Sequence, residues 1–172
     1  MALLAAACWT GAAVGKGGMP AGGVSPRAAR VVLQGSGLGP VRLGTAQRPV
    51  TARLSSLLGH PTAYPPAGCV GGYRDVEWSD LIVQFKRGRL AGYRYWVTRP
   101  HQAVTPKLST ATGITLGSTF AAVKSAYPHL TQTGTDFWSA DGLTFGVTSS
   151  QYPSPSSAPV YEIKVNACPA AL

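Results

Sequence analysis

The chain has 172 residues and a formal charge of +9, with 15 Lys and Arg set against six Asp and Glu. Its 21 Gly and 14 Pro argue against a helical bundle, because both residue types interrupt helices. A hydrophobic share of 45% with four Trp excludes a disordered chain, and no run of about 20 apolar residues is present to cross a bilayer as a helix.

The first residues read "MALLAAAC". An apolar run with small residues just ahead of Cys8 has the form of a bacterial lipoprotein's modification site. The run is short and lacks a basic region before it, so residues 1–8 read as a signal truncated at its start. Residues 9–30 are small and glycine-rich without apolar period, and read as a flexible tether. The folded domain is expected from Val31 to 172. Export would place the chain in an oxidising compartment and assign its three thiols: Cys8 carries lipid or is lost with the signal, and Cys69 pairs with Cys168. Neither of the latter two belongs to a C-x-x-C pair or stands near a histidine at zinc-finger spacing. Their bridge would close a loop of about 100 residues, worth on the order of 4 kcal/mol on the chain-entropy view.

Next comes "VVLQGSGLGPVRLG" (31–44), which has the glycines of a phosphate-binding loop. A dinucleotide-binding turn would start its helix inside the glycine run and place a ribose-binding acid about 20 residues on. Here Pro40 and the extended "VRL" intervene and no such acid follows. The stretch reads as a connector, and no cofactor is expected.

The chain then says one thing twice. "VRLGTAQRPVTARL" (41–54) and "ITLGSTFAAVKSAY" (114–127) match at Val41 and Ile114, Leu43 and Leu116, Gly44 and Gly117, Val50 and Val123, Leu54 and Tyr127. Each copy reads as an extended lead-in, a glycine bend, a hydroxyl cap and a short amphipathic helix. Thr45 is the expected first cap, and Thr119 or Ser118 the second. Gly59 ends the first helix and Pro128 the second. Hairpins follow in "WSDLIVQFKRGRLAGYRYWV", turning at Gly88, and in "DFWSADGLTFGVTSS", turning at Asp141-Gly142. After the loop "QYPSPSSAP" comes a last strand, "VYEIKV". The sequence therefore predicts an α+β domain: two tandem helix-then-β-hairpin units, about 37–100 and 110–168, sharing one antiparallel sheet with the helices on one face.

The stretch "LGSTFAAVKSAYP" resembles the G-x-T-x-x-x-V motif of small SmpA-type outer-membrane lipoproteins and of secreted β-lactamase-inhibitory proteins, through Gly117, Thr119 and Val123. The resemblance implies helical pairs followed by antiparallel strands, used in tandem in the inhibitors. It permits a secreted inhibitor of an extracellular enzyme, although no inhibitor contact residue can be matched.

A catalytic set is hard to assemble. His60, His101 and His129 lie in proline-rich turns with no i, i+4 pair, and no G-x-S-x-G elbow occurs. Asp75, Glu77 and Asp80 cluster without ligand-rich spacing and read as solvated, or as neutralising neighbouring arginines. No metal site and no enzymatic activity are expected, with a hydrolase of dispersed site as a remaining alternative. Functional character concentrates in "FKRGRLAGYRYWVTRP" (85–100). Strand alternation sends Tyr93 and Tyr95 one way and Arg94 and Trp96 the other, with Arg89 nearby. Trp and Arg are frequent binding anchors. The sequence thus points to a non-enzymatic, exported or lipid-anchored cell-envelope module that binds an envelope or secreted protein, or an acidic envelope polymer, through Arg89, Tyr93, Arg94, Tyr95 and Trp96. Nucleic acid is disfavoured for an exported chain, and membrane contact is expected only through lipid on Cys8.

Overall fold

The computed structural model describes residues 31–63, 71–97, 108–148 and 155–168. Three short strands come first: β1 (Val32–Gln34), β2 (Gly37–Leu38) and β3 (Val41–Arg42). Helix α1 (Gln47–Leu58) leads into the strands β4 (Tyr73–Trp78), β5 (Leu81–Lys86) and β6 (Arg89–Trp96). The short β7 (Ser109–Thr110) precedes α2 (Phe120–Ala126). Strands β8 (Thr131–Gly134), β9 (Phe137–Ala140) and β10 (Leu143–Val147) follow, then a 3-10 turn (Pro155–Ser157) and β11 (Val160–Val165).

The expected α+β fold of two helix-hairpin units is not what forms. The described residues are mostly β, 46% strand against 18% helix, and they build two sheets. A four-stranded sheet has the order β3-β2-β1-β7, and a seven-stranded antiparallel sheet dominates with the order β4-β5-β6-β11-β10-β9-β8. The supposed connector at 31–44 is the core of the smaller sheet. Its glycines serve backbone packing: a Cβ on Gly37 would lie 2.0 Å from the Val41 carbonyl oxygen, and one on Gly35 would lie 2.1 Å from that of Asp141. Each helix, moreover, is followed by a three-stranded meander and not by a hairpin.

Two strand connections are the tight turns the sequence suggests. Arg87 and Gly88 take φ of 50° and 71°, and Asp141 and Gly142 take 52° and 75°, so both central residues of each turn are left-handed. That matches the right-handed twist of the flanking strands.

One face of the large sheet is apolar. Trp78, Leu81, Val83, Phe85, Tyr93, Tyr95, Phe145 and Ile163 form a single buried cluster with Val50 and Leu54 of α1, Phe120 and Val123 of α2, and Leu33, Leu38 and Val41 of the small sheet. Polar ends within it are satisfied. The Trp78 indole donates to the Gly59 carbonyl at 2.9 Å, the Tyr93 hydroxyl donates to the Gln34 carbonyl at 3.1 Å, and the Tyr95 hydroxyl accepts from Leu108 N–H at 3.2 Å. Both helices and the small sheet therefore lie over this face.

The two copies of the sequence pattern do share a local frame where the helices begin. Gly44 and Gly117 have φ of 83° and 84°. Gly44 N–H donates to the Leu90 carbonyl and Gly117 N–H to that of Val160, each at 2.8 Å. Leu90 and Val160 answer by donating to Thr45 and Ser118, and Gln47 and Phe120 donate to Gly88 and Ala158, again at 2.8 Å. The caps are Ala46 and Thr119, so Thr45 is not the first cap. The likeness ends with these bonds: α1 has 12 residues and α2 has seven.

Candidate functional site

The seam between β6 and β11 sorts its side chains cleanly. Tyr93 faces Val165 and Tyr95 faces Ile163, all buried, while Arg94 faces Lys164 and Trp96 faces Glu162 on the opposite side of the sheet. Of the five residues the sequence nominates, Arg94 and Trp96 thus meet on the open face. Tyr93 and Tyr95 are 0% exposed in the core, where burial pushes both phenols above their usual pKa, so neither can touch a partner. Arg89 stands at the start of β6, exposed, and donates to the Gly44 carbonyl at 3.0 Å.

Arg94 and Lys164 would repel each other as directly opposed cations. Glu162, 1% exposed, holds them together: one carboxylate oxygen accepts from Arg94 Nε and the other from Lys164 Nζ at 3.1 Å. A buried carboxylate survives only with such partners, since desolvating it alone costs several kcal/mol. Each cation also covers a ring. The Arg94 guanidinium lies 5.0 Å from the Trp96 ring centre, and Lys164 Nζ lies 3.9 Å from that of Phe137.

Phe137 reaches this group across β10 because Gly146 leaves room. A Cβ on Gly146 would sit 2.8 Å from the Tyr161 ring and 3.1 Å from both Phe137 and Glu162. Phe137 and Tyr161 meet edge to face at 6.3 Å. The outcome is a row of half-buried rings, Trp96, Tyr161 and Phe137, crossed by two fixed cations. The Trp96 indole N–H is buried and finds no acceptor among the described residues, a state that costs about 1–3 kcal/mol. Tyr161, Glu162, Lys164 and Phe137 were not singled out from sequence. Alternation in "VYEIKV" groups Glu162 with Lys164 but would send Tyr161 to the core side with Ile163. The register shifts at Gly146 and Val147, which pair with Glu162 and Val160 and leave Tyr161 as the extra residue. Neither this nor the pairing with β6 is visible in the strand itself.

The β4 side of the open face is different in kind. Asp75 and Asp80 are each 9% exposed and packed into the structure, not solvated. Burial pushes the Asp75 carboxyl up, opposed by a hydrogen bond from Gln84 and the charge of Arg94, and burial followed by the nearness of Asp75 pushes Glu77 up. The chain beyond β11 bends at Asn166 and crosses Gly92, whose Cβ would lie 2.3 Å from the Val165 carbonyl oxygen. There Gln84 accepts from Cys168 N–H at 3.0 Å. Cys168 is disulfide-bonded, and the other cysteines, Cys8 and Cys69, lie outside the described residues.

Other candidates are sparse. His60 and His129 are exposed, and His101 lies outside the described residues. Among the described residues no group of three or more His, Cys, Asp or Glu is close enough to hold a metal. A cavity of about 290 Å³ between the β1–β2 turn, Tyr127 and the β9–β10 turn gathers Leu33, Leu143 and Asp141, but no histidine. No helix among the described residues is long and apolar enough to cross a membrane.

No protein-family model matches the chain, and neither a curated protein nor a solved structure matches it. The likeness to SmpA-type lipoproteins and β-lactamase-inhibitory proteins accordingly rests on the motif around Gly117 alone.

Proposed function

We propose that this protein is a non-enzymatic binding module of the cell envelope, exported or anchored by lipid on Cys8, which engages an envelope protein or polymer through the open face of its large sheet. One observation carries the reading: Trp96, Tyr161 and Phe137 form a row with Arg94 and Lys164 fixed over its ends by Glu162. Rings and cations held in place before a partner arrives lose little side-chain freedom on binding. Large aromatic and Arg side chains are also the types that dominate measured interface energies.

The test is binding to envelope extracts by the full chain and by a Trp96→Ala, Phe137→Ala double variant, with thermal melts to show that the variant is folded. The pair avoids the buried charges, whose disruption would unfold the sheet. Loss of about 2 kcal/mol or more, roughly thirtyfold in affinity, is expected of a binding centre. Undiminished binding by the folded variant would overturn the proposal.

A further inference from the structure

We propose that the β5–β6 turn and the N-terminal end of α1 form a second site, separate from the open face, for a phosphate-bearing linear polyanion. Five exposed cations collect there: Arg42, Arg48, Lys86, Arg87 and Arg89. They belong to adjoining segments stapled by backbone bonds, since Gln47 N–H donates to Gly88, Leu90 N–H donates to Thr45, and Ala46 bridges Arg89. No acid occurs at 42–49 or 86–90, and the ion pairs of Glu162 lie in the middle of the sheet. The cations instead lie on neutral groups: Arg42 on the Ser36 hydroxyl at 2.8 Å, Arg89 on the Gly44 carbonyl, and Lys86 over the Tyr73 ring at 4.9 Å.

The approach to α2 shows that the fold does not need this charge. It is built on the same bonds, yet the residues in the matching places are Thr115 for Arg42, Ala121 for Arg48, and Ser157 and Pro159 for Arg87 and Arg89. Arg48 also sits in the first turn of α1, where the positive end of a helix disfavours a cation, and α2 has Ala121 there. A cluster that opposes local electrostatics without a structural return is explained by an anion that arrives from outside. Four of the five cations are Arg, whose planar fork pairs two oxygens of one phosphate. Among the described residues the large apolar side chains beside them, Leu43 and Tyr73, are only half-exposed, which favours a soluble polymer over a lipid surface.

The experiment titrates the full chain with inorganic polyphosphate of defined length at about 50 and about 200 mM salt. Binding is expected to weaken about a hundredfold between those concentrations, as for five single-strand phosphate contacts. Arg48→Gln with Arg87→Asn should lose tenfold or more, Asn being chosen because it accepts the positive φ of Arg87. Lys124→Glu, on α2, changes net charge equally and should stay within twofold. Arg48→Gln alone, a milder change, should lose about threefold, so a misfolded double variant would not shield the proposal. Equal losses for Lys124→Glu, or none for the Arg variants, would overturn it. So would polyglutamate binding as tightly as polyphosphate, or phosphatidylglycerol vesicles competing better than the polymer. The Trp96→Ala, Phe137→Ala variant should bind polyphosphate normally, so failure at one surface leaves the other reading standing.

Discussion

The approaches to the two helices share a backbone and almost nothing else. At each, a left-handed glycine turns the chain into a helix while its N–H reaches a strand of the large sheet, β6 for Gly44 and β11 for Gly117. Yet α1 begins without a side-chain cap, whereas the Thr119 hydroxyl accepts from Ala122 N–H at 3.2 Å. The reason is local. Ala46 has no side-chain acceptor, and the N–H that Thr119 uses in α2, three residues on, is missing in α1 because Pro49 stands there. Because both helices start regardless, the strand and not the cap fixes where each begins.

Truncating the core positions puts the heaviest load on this equivalence. Leu54 is 0% exposed and Tyr127 5%, at matching places in the two copies of the pattern. Leu54→Ala and Tyr127→Ala should each cost about 3 kcal/mol in urea unfolding, and a cost below about 1 kcal/mol at either would show that only one helix carries the core. Smaller effects should follow at the bends. A Cβ on Gly44 or Gly117 would meet nothing within 4 Å, so Gly44→Ala and Gly117→Ala should lose only the left-handed penalty, about 1–2 kcal/mol and alike. Unequal losses would mean that the two frames are held differently. Smallest and sharpest is the cap. Thr119→Ala should cost about 1 kcal/mol, while Ala46→Thr should change stability by under about 0.3 kcal/mol until Pro49→Ala restores the donor. In that background Ala46→Thr should gain about 0.5–1 kcal/mol, a coupling read from the double-mutant cycle.

The sequence was informative where chemistry is local. The glycine turns, the two helices and the strands β5, β6, β9, β10 and β11 follow from turn residues and period. Both edges of the large sheet were missed. Strand β4, "YRDVEW", reads as an acidic cluster ahead of a strand, and β8, "TQTG", falls between the helix stop at Pro128 and the second hairpin, where no strand is read. Edge strands are polar by necessity, since apolar ones would pair with other chains, and that same polarity hides them. The small sheet was missed because its strands have only two or three residues, too few to show a period. At the site, alternation separated Arg94 and Trp96 from Tyr93 and Tyr95. It could not supply Glu162, Lys164 or Phe137, because strand order is not written in any one strand.

The seam between β6 and β11 has a consequence in time. Of the six joints in the seven-stranded sheet, it alone links strands that are not neighbours in the chain, and Arg94 and Glu162 across it are 68 residues apart. Each meander can assemble by short-range search, but this joint must wait for a long loop to close, which slows it. Until it zips, two inner edges stand ready, and at high concentration a second molecule can fill either one before the chain's own partner arrives.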